Sequence, residues 1–112
     1  MTGKTLIING QFLGRGDDTL GAQIMGSLLR KLWASKDKPS RMIFYNSGVH
    51  LIAEGSPVLD ALSGLHDAGV DLIACGTCVA HYDLTGKIVV GRVSDMTEIV
   101  AALMTSASVV SV

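Results

Sequence analysis

The chain contains only two cysteines, and they stand three residues apart in Cys75-Gly76-Thr77-Cys78. The apolar run before them, residues 70–74, reads as a short buried strand. Residues 79–84 can make a turn or two of helix. Both thiols therefore fall where a strand ends and a helix begins. At such a junction the helix amides and the positive end of the helix dipole favour a thiolate over a thiol. A thiolate can take up a sulfur atom as a persulfide and hand it on, or exchange disulfides with a partner thiol. The plainer alternative is a pair of small buried hydrophobes with no reactivity.

Other chemistries need groups that this sequence supplies only in part. Cys75, Cys78 and His81 have the reach of a metal site, but a closed zinc site takes four ligands, usually as two pairs. Only His50, Asp83 or a second subunit would complete it. Covalent haem attachment needs His directly after the second cysteine, where Val79 stands. A thioredoxin carries its Cys-x-x-Cys after the first βα pattern, with Trp before it and a cis-proline later. Here Ala74 precedes the pair, and the only prolines, Pro39 and Pro57, lie upstream. The stretch from Gly14 to Gly21 suggests a nucleotide loop, yet Thr19 occupies the place of the third glycine and Asp17 and Asp18 would repel a pyrophosphate. Neither a metal nor a cofactor is expected.

The elements that must position the thiols are legible from periodicity. Residues 4–9 form a β-branched first strand ended by Asn9-Gly10. Leu20, Ile24, Leu28 and Leu32 recur every four residues, with Met25 and Leu29 alongside, as on an amphipathic helix capped by Asp17 or Asp18. Residues 41–46 are the second strand. Ser56-Pro57 opens a second helix whose buried face is Val58, Leu59, Leu62 and Leu65. Residues 70–74 are the third strand and 87–90 the fourth. Asp95 and Glu98 suggest a capping box for a helix with Ile99, Val100, Leu103 and Met104 inward, and residues 107–112 are a last strand.

Strands thus alternate with helices, and the strands are continuously apolar. That pattern predicts an α/β fold with a parallel sheet covered on both faces. Ligand sites in such sheets lie beyond the carboxyl ends of the strands. Three loops are expected to meet there: residues 10–18, 47–55 and 75–81. They bring Arg15, Asn46, His50 and Thr77 into consideration as residues lining the site of the cysteine loop. His66, late in the second helix, reads as a surface residue.

Length and composition set the frame. The 112 residues suit a single domain, and 48% hydrophobic content with 4% aromatics means a core of aliphatic side chains. A net charge of −1 and scattered Lys and Arg argue against nucleic-acid binding. No run reaches the ~18–20 apolar residues of a membrane span, and the amino terminus does not read as a signal peptide. A cytosolic protein is expected, and there a Cys-x-x-Cys is more often chemical than structural. So apolar and weakly charged a chain is also expected to cover part of its surface with further subunits.

Five segments together resemble a known family. They are Leu13-Gly14-Arg15-Gly16-Asp17-Asp18 with Leu20-Gly21, then Phe44-Tyr45-Asn46-Ser47-Gly48-Val49, then Glu54-Gly55-Ser56, then Cys75-Gly76-Thr77-Cys78, and Val90-Gly91-Arg92-Val93 with Met96. In this order they resemble the DsrE/DsrF-like sulfur-relay family, most closely the carboxyl-terminal domain of YedF-type, sulfurtransferase-like proteins of selenium metabolism. The resemblance implies a three-layer α/β/α sandwich with a five-stranded, mainly parallel sheet, assembly into small homo-oligomers, and sulfur or selenium handling. It implies that Cys75 carries a persulfide and that Cys78 is a second thiol. Thr77 and the following amides would steady the thiolate. YedF-type proteins carry a small sulfur-carrier domain before this one, whereas here the sequence begins at the first strand. A sulfur-carrier protein or a cysteine desulfurase is then expected as a separate partner. The alternatives left open are a non-catalytic small-molecule or protein-binding module with inert cysteines, and an intersubunit metal site.

Overall fold

The computed structural model describes residues 2–112. Five parallel strands form one sheet in the order β4-β3-β2-β1-β5. They are β1 (Lys4–Ile8), β2 (Arg41–Phe44), β3 (Asp71–Cys75), β4 (Arg92–Ser94) and β5 (Ser108–Ser111). The helices are α1 (Asp18–Ala34), α2 (Leu59–Asp67), α3 (Gly76–His81) and α4 (Met96–Thr105), with a 3-10 helix over Asn46–Ile52.

The side-chain alternation of the central strands divides the core in two. Leu6, Ile8, Met42, Phe44, Leu72 and Ala74 point to the face covered by α1 and α2. Ile43, Ile73 and Cys75 point to the other face, against Ile99 and Ala102 of α4. This is the expected α/β/α sandwich. Two-sided burial explains why β2 and β3 read as unbroken apolar runs.

Several boundaries differ from expectation, each for a local reason. The second strand stops at Phe44 because Asn46 turns into the left-handed region, with φ 49°. The segment after it is not an open loop but the 3-10 helix. The second helix begins at Leu59 rather than at Pro57, and the Ser56 hydroxyl accepts the Val58 N–H at 3.2 Å, ahead of the helix. Residues 87–90 are not the fourth strand. Ile88 only bridges Ala53 in antiparallel fashion, and Gly91 (φ 82°) then turns the chain so that residues 92–94 pair with β3. A Cβ at position 91 would lie 2.6 Å from the Leu72 carbonyl oxygen, so the approach to β3 needs glycine.

The inward faces of two helices are rotated from the expected stripes. In α1 the buried line is Gly21, Met25 and Leu29, while Leu20 is 54% and Ile24 38% exposed. In α4 it is Ile99 and Ala102, leaving Val100 and Met104 outside. Of the two candidates for capping α1 it is Asp17 that accepts the Leu20 N–H, at 2.8 Å. Asp95 accepts the Glu98 N–H at 3.0 Å, but the return half of the capping box does not form, because Arg92 and Ser94 take the Glu98 carboxylate.

The short edge strand β4 is tied down by charge. Arg92 forks onto Asp71 of β3 at 2.9 and 3.0 Å and onto Glu98 of α4 at 2.6 and 2.7 Å. Glu98 also accepts the Ser94 hydroxyl. The Arg92 hydrogen bonds first, then that of Ser94, lower the Glu98 pKa from 4.5 to about 2. The unfolded chain therefore takes up this proton first as pH falls. The contribution to stability is complete above about pH 4.5 and disappears between there and about pH 2. At low salt the thermal midpoint of the wild type should fall more steeply across that window than that of Glu98→Gln. Parallel curves would show that the fork contributes nothing.

Candidate thiol site at the carboxyl edge of the sheet

Cys75 is the last residue of β3 and the N-cap of α3, and Cys78 lies one turn into that helix. Cys75 is 4% exposed, Cys78 is half-buried, and both are free thiols. The Cys75 side chain accepts no capping hydrogen bond from the α3 amides. The amide that reaches a sulfur comes from across the sheet: the Asn46 N–H donates to Cys78 Sγ at 3.0 Å.

The left-handed turn at Asn46 makes this possible, in a conformation that Asn tolerates better than other non-glycine residues. Its side chain is used as well. Asn46 Oδ1 accepts the Tyr82 hydroxyl at 2.7 Å and the Ser47 N–H at 2.8 Å. The end of β2 and the end of α3 are thus joined on two sides of Cys78. Tyr82 is held in turn by two imidazoles set edge-on, His50 at 4.6 Å and His81 at 4.8 Å between ring centroids.

Burial raises the Cys78 pKa, the Asn46 N–H opposes that, and the neighbouring Cys75 side chain adds to it. The Tyr45 phenol is raised too, by burial first and then by the two cysteines. Tyr45 packs with Cys78 on the α4 face of the sheet. A second negative charge in this nest is disfavoured from three sides, so the arrangement suits one thiolate and not two.

The structure therefore gathers Cys75, Cys78, Asn46 and His50 in one place. Thr77 is exposed on α3 between the cysteines. Arg15 stands elsewhere. It lines a cleft of about 480 Å³ at the carboxyl end of β1, with Asn9, Gly10, Gly14, Asp18 and Ser47. The two places adjoin through consecutive residues, since Asn46 contacts Cys78 and Ser47 lines the cleft. The Ser47 hydroxyl also accepts the Gln11 N–H at 3.1 Å, which holds the first loop to the second. Tyr45 and Tyr82 were not singled out as site residues by type and spacing. The one local sign was that Tyr82 follows Cys78 by four residues, one helical turn. Among the described residues, no group of three or more His, Cys, Asp and Glu could hold a metal ion.

Fold and site define a class: a parallel, three-layer α/β protein with paired free thiols where its third strand meets a helix. The sequence profile of the DsrE/DsrF-like family matches residues 14–112, and the chain belongs to that family. Membership suggests a sulfur-relay-type role. The fold is shared with the ychN protein from E. coli, at TM-score 0.71 and 14% identity over all of both chains. It is shared with MTH1491 of Methanobacterium thermoautotrophicum, a protein of unknown function, at TM-score 0.70 and 19% identity over 97% of each chain. BT1422 of Bacteroides thetaiotaomicron, also of unknown function, aligns at TM-score 0.68 and 17% identity over 97% of this chain and 94% of its own. No curated protein matches the sequence.

The electrostatics can be checked by alkylation rate against pH. In Cys75→Ala the apparent pKa of Cys78 should drop, because one cause of its elevation is gone. An unchanged profile would mean that the two sulfurs do not interact.

Proposed function

We propose that this chain is a sulfur-transfer protein in which Cys75 carries the persulfide and Cys78 is the accessory thiol. The supporting observation is the placement of both free thiols at the end of β3 in a DsrE/DsrF-like fold. Cys75 is taken as the nucleophile because it ends β3, and burial raises the pKa of its neighbour Cys78. Its thiolate attacks the outer sulfur of a donor persulfide, R–S–S–H. The donor S–S bond breaks, R–S⁻ departs and takes a proton from water, and Cys75 holds S–S–H. An acceptor thiolate then repeats the step in the other direction. Failing an acceptor, Cys78 can attack the inner sulfur and release hydrosulfide, leaving a Cys75–Cys78 disulfide that an external dithiol reopens. Asn46 and His50 position the pair through Cys78 and Tyr82, and burial of Cys75 shields the bound sulfur from water. The cargo on this reading is sulfur or selenium, and the donor is a cysteine desulfurase or a small sulfur-carrier protein.

The same burial of Cys75 favours the second reading, a binding module with inert cysteines. Loading from a cysteine desulfurase, followed by intact mass, separates them. The wild type should gain one sulfur atom, Cys75→Ser none, and Cys78→Ser should hold the sulfur longer. No gain in the wild type, or equal gain in Cys75→Ser, would sink the transfer reading.

The protein is also proposed to be cytosolic and a homo-oligomer. No helix among the described residues is long and apolar enough to cross a membrane. Met96, Val100 and Met104 recur at four-residue spacing along α4 and are 50%, 47% and 77% exposed. A stripe of that kind suits a subunit contact. Native mass spectrometry should find more than one subunit in the wild type and a single subunit in Val100→Lys/Met104→Glu. A monomeric wild type would refute the assembly.

A further inference from the structure

The cleft beside the thiols has features that sulfur chemistry alone does not require. Its lining includes one cation, Arg15, and one anion, Asp18. Neither takes part in an ion pair among the described residues, with each other or with any other group. Elsewhere in the molecule the arrangement differs: Arg92 is saturated by two carboxylates. An open cleft lined by one unpaired charged side chain of each sign, with the terminal residue Val112 beside them, matches a ligand that carries both signs, a carboxylate for Arg15 and an ammonium for Asp18. Gly14 and Gly16, at φ 79° and 132°, have nothing within 4 Å of where a Cβ would stand, so the loop carrying Arg15 leaves the mouth unobstructed. Phe12 supplies an apolar wall.

Size and distance narrow the ligand further. The cleft volume of about 480 Å³ lies within the ~300–1,000 Å³ usual for small-molecule sites. It begins at the end of β1, and Cys75 ends β3, two strands away. At ~4.8 Å between strands that is about 10 Å. A free amino acid, at ~3.5 Å per residue, falls short, whereas a tripeptide spans the gap.

We propose that the Arg15–Asp18 cleft binds a zwitterionic, tripeptide-sized low-molecular-weight thiol and directs its persulfide sulfur toward the Cys75–Cys78 pair. The proposal rests on the sulfur-transfer reading for its chemistry and on the cleft for its recognition. The step balances without an outside oxidant or reductant. The ligand's S–S bond breaks, an S–S bond to Cys75 forms, and the ligand leaves as a thiolate that takes a proton from water.

Two measurements test recognition and chemistry separately. In the first, S-methylglutathione, whose sulfur cannot react, is titrated calorimetrically into Cys75→Ser/Cys78→Ser. Saturable binding at millimolar concentration is expected, weakened at least tenfold by adding Arg15→Ala and restored in part by Arg15→Lys. No binding, or binding indifferent to position 15, overturns the proposal. In the second, the double cysteine variant is replaced by the otherwise native chain, and loading is compared between glutathione persulfide and inorganic polysulfide. The ratio of the two rates should fall at least tenfold in Arg15→Ala, and an unchanged ratio also overturns the proposal. If neither donor loads the wild type while S-methylglutathione still binds through Arg15, the transfer reading fails and the cleft assignment stands.

Discussion

The carboxyl edge of this protein depends on the burial of β1, β2 and β3 on both faces. Met42, Ile43 and Phe44 are fully buried, as are Leu72, Ile73 and Ala74 to within 1%. A one-residue slip of such a strand would exchange its two faces and break both halves of the core. The register is therefore held, with Phe44 beside Ala74 and Cys75 beside Ser94. Once Phe44 and Cys75 are placed, the turn at Asn46 and the start of α3 have little freedom. The sulfur–amide contact follows from hydrophobic packing beneath it.

Above that base, the thiol pair is managed by competition. Burial and a second sulfur oppose ionisation at Cys78, and two backbone amides, those of Asn46 and of Cys78 itself, favour it. The Tyr82 hydroxyl on Asn46 and the two imidazoles around Tyr82 fix the geometry of the nest. The charged side chains lie at the periphery instead. Arg92, Asp71 and Glu98 pin the short strand β4, while Arg15 and Asp18 face the neighbouring cleft.

The amphipathic stripes show where local pattern and tertiary packing part. In α1 the four-residue recurrence of Leu20, Ile24, Leu28 and Leu32 is real, yet the buried line runs through Gly21, Met25 and Leu29. Glycine is favoured there because the helix lies close to the preceding loop; a Cβ at position 21 would sit 2.8 Å from the Cβ of Phe12. Periodicity counts apolar side chains and cannot register that the tightest contact is made by the residue with none. The same blindness assigned Val100 and Met104 to the inside of α4, where they stand outside.

What the sequence determined by itself was the alternation of strands and helices, the two-sided apolar strands, a cap at Asp17 or Asp18 and another at Asp95, and the position of Cys75 and Cys78 at an element boundary. These follow from short-range physics: period, capping geometry and turn chemistry act within a few residues. Only the tertiary structure decided that Arg92 to Ser94, not residues 87–90, complete the sheet, because pairing with β3 depends on a turn at Gly91 made against Leu72. It also decided that Asn46 reaches Cys78 across 32 positions of sequence, that Tyr82 bonds Asn46, and that Arg15 belongs to the cleft beside the thiols. Those are contacts between residues far apart in the chain, and they exist only once the sheet has brought its strand ends to one edge.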